Sequence, residues 1–263
     1  VRQFFVFPGL FILSAILLIT QPLFSQVNTE KFRKYDVEKG FQANLQTTFT
    51  TKAGNTHYNT LKATSRFDYS ATKFDYFLVA NFEAKSASKK RIENEGFIHL
   101  RGMWKFADKA NWEYFAQRQY DEFIDLRFRN LLGTAIKYRI LKAVSKNDSN
   151  SMILINASTG LMYEHENYKY EPTNIDNKLI RSTNFISFDW SKNESTSFTG
   201  VIYYQPAFND RKNFRIVAES TLEFNIIKRV FFSINFVYKY NNHPFTDVKP
   251  YDISLENGLR LKL

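Results

Sequence analysis

From Tyr251 to Leu263, the residues Tyr251, Ile253, Leu255, Leu259, Leu261 and Leu263 alternate with Asp252, Ser254, Glu256, Gly258, Arg260 and Lys262. Only an extended strand sorts such a sequence onto two faces, and Asn257 alone interrupts the apolar row. The preceding segment repeats the pattern, with Phe232, Ile234, Phe236, Tyr238 and Tyr240 on one face and Ser233, Asn235, Val237, Lys239 and Asn241 on the other. A helical period would scatter both sets.

Reading back along the chain, the same segregation predicts strands over Phe214–Ile227, Phe198–Gln205, Ile180–Trp190, Ile153–Glu164, Phe128–Ile140, Trp112–Tyr120, Phe97–Phe106, Tyr76–Lys85, Tyr58–Tyr69 and Phe41–Thr51. Strands this long exceed the 5–6 residues usual in soluble sheets and match what a tilted strand needs to cross a bilayer. Short connections at Ser70–Lys73, Ala107–Ala110, Asn193–Ser195 and Lys228–Arg229 take turns with polar loops at Ser86–Asn94, Asn167–Lys178, Ala207–Asn213 and Asn242–Pro250. Short periplasmic turns and long outer loops are the habit of outer-membrane barrels. Two connections depart from it: Ala53–Asn55 is tight where a loop is expected, and Lys142–Asn150 is long for a turn. The fold class expected is all-β, an antiparallel up-and-down transmembrane β-barrel of about twelve strands.

Composition narrows the alternatives. With 44% hydrophobic residues the chain is a folded protein, and with no cysteine it has neither a disulfide framework nor a thiolate metal site. Arg2 followed by the apolar run Phe4–Ile19 reads as a signal peptide cleaved after Ser25 or Gln26. The organisation expected is a signal peptide over residues 1–26, an N-terminal periplasmic segment over 27–40 and a barrel over 41–263.

If the apolar row meets lipid, the polar row lines a lumen. Its candidate charges are Arg101, Arg129, Lys137, Arg139, Glu219, Glu223, Lys239, Glu256 and Arg260, with Lys62, Arg66, Asp68, Glu83, His99, Lys105, Glu164 and Asp189 on the same face. A barrel interior tolerates such groups by pairing or hydrating them. Trp104, Trp112 and Trp190 all fall beside predicted periplasmic turns, as an interfacial aromatic belt would place them. Arg118 lands on the outer row and is expected to snorkel towards head groups.

The chain also resembles a family of outer-membrane barrels labelled salt-induced outer-membrane proteins, the domain of unknown function 481. The resemblance lies in Phe115-Ala116-Gln117-Arg118-Gln119-Tyr120-Asp121 with Asp125-Leu126-Arg127-Phe128-Arg129, running into Leu132-Gly133-Thr134. It continues through Gly160-Leu161-Met162-Tyr163-Glu164, Tyr203-Tyr204-Gln205-Pro206, Arg215-Ile216, Tyr238-Lys239-Tyr240, Pro244 and Asp252. It spans Phe41 to Leu263 and departs at the last residue, where the family tends to an aromatic and this chain has Leu263. It implies a bacterial outer-membrane barrel with no established activity and no catalytic residues to carry over.

The residues offer no chemistry of their own. His57, His99, His165 and His243 are scattered without partners at metal spacing, and there is no phosphate-cradling glycine loop, calcium loop or dinucleotide fingerprint. His243 with Ser233 or Ser254 is the nearest approach to a lipid-hydrolase pair, but both serines sit in the inward row. No enzyme, cofactor, metal or nucleic-acid partner is expected. The partners expected are outer-membrane lipids, lipopolysaccharide phosphate meeting the run Lys89, Lys90 and Arg91, and the barrel-insertion machinery, with the protein a monomer. A narrow pore leaning towards anions competes with a non-conducting, stress-related structural barrel. The remaining alternatives are a lipid-modifying enzyme and a soluble periplasmic lipocalin-like binding barrel.

Overall fold

The computed structural model describes residues 39–53, 57–87, 90–145, 151–169, 172–192, 195–210, 212–227, 230–244 and 249–261, without the side chains of 90–93 and 260–261. Its strands are β1 (Gly40–Lys52), β2 (Tyr58–Ser70), β3 (Phe74–Ala87), β4 (Lys90–Ala107), β5 (Ala110–Asp121), β6 (Leu126–Val144), β7 (Met152–Tyr168), β8 (Ile175–Lys192), β9 (Thr196–Pro206), β10 (Phe214–Ile227), β11 (Val230–Asn241) and β12 (Tyr251–Leu261). Each pairs antiparallel with the next in one twelve-stranded sheet, β1 to β12 in chain order. The signal-peptide reading, most of the 27–40 segment, Lys89 and Leu263 lie outside the described residues.

The sheet curls. Arg215 on β10 contacts Glu164 and Glu166 on β7, although β8 and β9 separate them along the ladder. One central cavity is lined by residues from β4 round to β10, His99 and Val217 among them. Such convergence of non-adjacent strands requires a barrel-like wall. Among the described residues β12 has no register with β1, and β1 is exposed on both faces from Ala43 onward.

Both described termini lie at one end of the sheet, here the terminal end; the connections leading from each odd strand to the next even one lie at the other, the loop end. Five strands, β3, β4, β6, β7 and β8, exceed the expected bounds by four or more residues. The expected loop Ser86–Asn94 is a continuation of β3 and β4, so Lys90 and Arg91 belong to a strand. The expected loop Asn167–Lys178 shrinks in the same way, because β7 and β8 pair as far as Tyr168 and Ile175. A single 3-10 turn, Glu122–Ile124, joins β5 to β6; the Asp121 carboxylate accepts from Phe123 N at 3.0 Å and Asp125 closes the turn with φ +57°.

The β6–β7 register shifts twice, between Leu126 and Phe128 and between Arg139 and Leu141. Each shift exchanges the faces of the residues beyond it. Ile140 and Leu141 are therefore both exposed, and Lys142 is turned to the inner wall opposite Leu154.

A closed lumen as the candidate functional site

The inner row is packed in layers. At the loop end Ile124, Leu126 and Tyr168 form a buried apolar cap with Ile175 against it. Below it Arg129 (β6), Glu164 and Glu166 (β7), Arg181 (β8) and Arg215 (β10) meet, their side chains at most 1% exposed. Arg129 donates from Nε to Glu164 at 2.5 Å and lies 3.2 Å from Glu166. Arg215 straddles Glu166 at 2.8 and 3.0 Å and also donates to Glu164. Arg181 donates to Glu164 and, at 2.8 Å, to the Asn213 side chain, with the Gln205 and Asn213 carbonyls at 3.2 and 3.3 Å. Forked guanidinium contacts satisfy both carboxylates, which is what buried ions need to be tolerated.

Beneath the ion cluster the inner wall carries two buried apolar groups. Phe115, Leu131 and Met162 form one group, and Phe185, Val201, Tyr203 and Val217 another. All of them except Val201 line a cavity of about 40 Å³, shared with Arg101, Glu113, Gln117 and Ser158. That space suits a few waters and no larger solute. Arg101 pairs with Glu113 at 3.0 Å, and His99 sits between Phe77 and Phe115 with Nδ1 3.0 Å from Gln117 Oε1. His99 is thereby committed to packing and to Gln117. His165 pairs with Asp176 at 2.7 Å on the outer side of the loop end. Among the described residues no group of acidic and histidine side chains is arranged to hold a metal.

At the terminal end the lumen widens into a vestibule of about 450 Å³. Lys105, Lys109, Lys137, Arg139 and Lys142 line it with Asp75 and Asp108, over a floor that includes Met103 and Leu154. Lys105 is held by Asp75 at 2.7 Å, and Arg139 donates to the Asp108 carbonyl.

A family model described as a protein of unknown function, DUF481, matches residues 46–262. The chain belongs to that family. No curated protein is significantly similar to this DUF481 chain. Among solved structures, that of the NanC porin is similar, with 11% identity over 78% of this chain and 94% of that one at a TM-score of 0.42. The fold assignment for the DUF481 chain rests on its own strand register.

Of the sequence-selected charges, the structure buries Arg101, Arg129, Lys137 and Lys239, and leaves Glu219, Glu223 and Arg139 half-buried on the same wall. Glu256 on β12 is exposed, and the side chains of Lys90, Arg91 and Arg260 lie outside the described residues. Among those whose side chains are described, only Arg129 enters the ion cluster. Its partners Glu166 and Arg181 escape sequence reasoning because the convergence of β6, β7, β8 and β10 is invisible in spacing. Their shared inward phase was the one available signal. Trp104 and Trp112 are cross-strand partners on the outer face, ring centroids 6.1 Å apart, near the terminal end; Trp190 lies near the same end on β8 and is half-buried. Arg118 is on the outer face, over the Phe128 ring at 5.2 Å and 3.4 Å from Asn130.

Proposed function

We propose that this DUF481 chain is a bacterial outer-membrane β-barrel that does not conduct at rest, a barrel of the envelope whose interior is shut by its own side chains. The observation that carries the reading is the pairing of an apolar outer wall with a filled lumen. Leu132, Ile186, Ile202 and Leu255 are each 59–64% exposed on the outside, while the arginines and glutamates of the ion cluster are buried inside. Water on the outer wall would face an apolar area far beyond the few hundred Å² that soluble monomers normally show. Lipid reverses that cost, and hydrogen-bonded strands are one of the two ways a chain crosses it. With the termini in the periplasm, the ion cluster lies towards the cell exterior and the vestibule opens inwards.

The second reading is a gated pore for anions. It is favoured by the cations set along the lumen, from Lys137 and Arg139 through Arg101 to Arg129, but it needs the ion cluster to open. Two experiments test the proposal. Outer-membrane fractionation with a heat-modifiable gel shift is expected for the mature chain, and a soluble periplasmic protein without the shift would overturn the membrane reading. Planar-bilayer recordings of inserted protein are expected to be silent; anion-selective steps would replace the closed barrel with the pore.

A further inference from the structure

We infer that the vestibule at the terminal end is a binding site for a compact phosphorylated polyanion, an anion carrying at least two phosphate groups. The argument begins with charge. Its lining carries Lys105, Lys109, Lys137, Arg139 and Lys142 against only Asp75 and Asp108, an excess of three positive charges around one concave space. Asp75 is already engaged by Lys105 at 2.7 Å, so its charge is spent within the wall. The other cations of the lining are the β6 residues Lys137, Arg139 and Lys142 and Lys109 in the neighbouring turn.

The arrangement is built rather than incidental. Strict alternation along β6 would put Lys142 on the outside with Tyr138 and Ile140. The register shift after Arg139 turns it inwards, so that three cations within six residues share one wall. Met103 and Leu154 close the floor below them. An apolar floor lowers the local dielectric and strengthens each cation's attraction for an anion above it. Lysines act on phosphate as point charges, and Arg139 adds a planar guanidinium.

Size agrees. About 450 Å³ falls within the range of small-molecule pockets, whereas the 40 Å³ cavity further in holds only water. The ligand therefore enters and leaves by the terminal end. The site is defined by the vestibule alone; the membrane reading adds only that it opens to the periplasm.

The test is isothermal titration of inorganic tripolyphosphate into the full mature chain, folded in non-ionic detergent at low salt. One saturable site is expected, weakening as salt rises. Lys137→Met and Lys142→Gln are each expected to weaken binding about tenfold, the loss of one charge-assisted contact. Lys178→Gln, at the loop end, is expected to bind as the parent does. The heat-modifiable shift of each variant reports folding separately, and Lys142→Gln, at a rim position exposed to water, is the variant kept if Lys137→Met fails to fold. Absence of binding by the parent overturns the inference, as does equal binding by parent, Lys142→Gln and Lys178→Gln. Saturable, Lys142-dependent binding by a protein that fractionates as soluble would sustain the site and overturn the membrane reading instead.

Discussion

Arg129 and Glu166 stand directly opposite each other on the β6–β7 ladder, 3.2 Å from Nε to Oε1, and neither side chain is exposed. Each also takes part in a wider set, since Arg129 reaches Glu164 and Arg215 spans Glu164 and Glu166. The pair is one edge of a closed network across four strands.

Removing one member of such a network leaves an uncompensated buried charge. Glu164→Gln is expected to cost about 3–5 kcal/mol, because three arginines contact that carboxylate. Urea unfolding of the detergent-folded protein measures it. The double substitution Arg129→Met with Glu166→Leu is expected to cost less than the sum of the single changes, since it removes a charge of each sign. A strictly additive result would show that the two residues are not coupled.

At Gly160 the β7 backbone leaves no room for a side chain against β6. A Cβ there would lie 2.2 Å from the Thr134 carbonyl oxygen and 2.5 Å from Ala135 Cβ. Backbone cannot yield as a flexible side chain can, so Gly160→Ala is expected to destabilise by about 1–3 kcal/mol. Gly200→Ala, whose Cβ would meet the Phe198 ring at 3.1 Å and the Glu219 carbonyl oxygen only at 3.9 Å, is the milder control. Equal midpoints for the two variants would refute the close approach.

On the outer wall, cost is expected to depend on depth. Leu132, opposite Ala116 and four residues deeper than the partner of Trp112, is 64% exposed, and Ile140, nearer the terminal end, is 54% exposed. If lipid covers them, Leu132→Arg costs about 2–4 kcal/mol in vesicle-folded protein while Ile140→Arg costs about 0–1 kcal/mol. Water on that wall would leave both substitutions nearly neutral.

Trp104 and Trp112, paired near the terminal end, are expected to be quenched by lipids brominated close to the head group. Trp104→Phe and Trp112→Phe should each reduce the quenchable emission. Emission quenched by aqueous iodide and untouched by bromolipid would place the pair outside the membrane interface.

The alternation was legible wherever one face meets the packed interior and the other is uniformly apolar, hence the twelve strands and the phase of Arg101, Arg129, Lys137 and Lys239. It faded where β7 and β8 continue towards the loop end. There the outer row holds His165, Asp176 and Lys178 while the inner row holds Glu166, so both faces are polar and a period-two signal vanishes although the ladder continues. The apolar middle of the lumen was hidden for the converse reason. Phe115, Leu131, Met162 and Phe185 sit in rows whose other members are mostly polar, small or charged, and hydropathy averaged along a strand cannot show that four strands place such residues at one height.

The register shift between Arg139 and Leu141 turns on one residue, Ile140, which has no partner on β7. Because each strand of a meander is tied mainly to its two neighbours, the shift absorbs this extra residue locally: deleting Ile140 would restore strict alternation with Lys142 still opposite Leu154, whereas a substitution that abolished the shift with Ile140 kept would send Lys142 to the outer wall. The charge of the vestibule thus depends on the shift as well as on the residues that line it. Relatives of the same length that lacked the shift would differ in what their inner mouth attracts while keeping the same barrel, a route by which one scaffold diverges in ligand without rebuilding its wall.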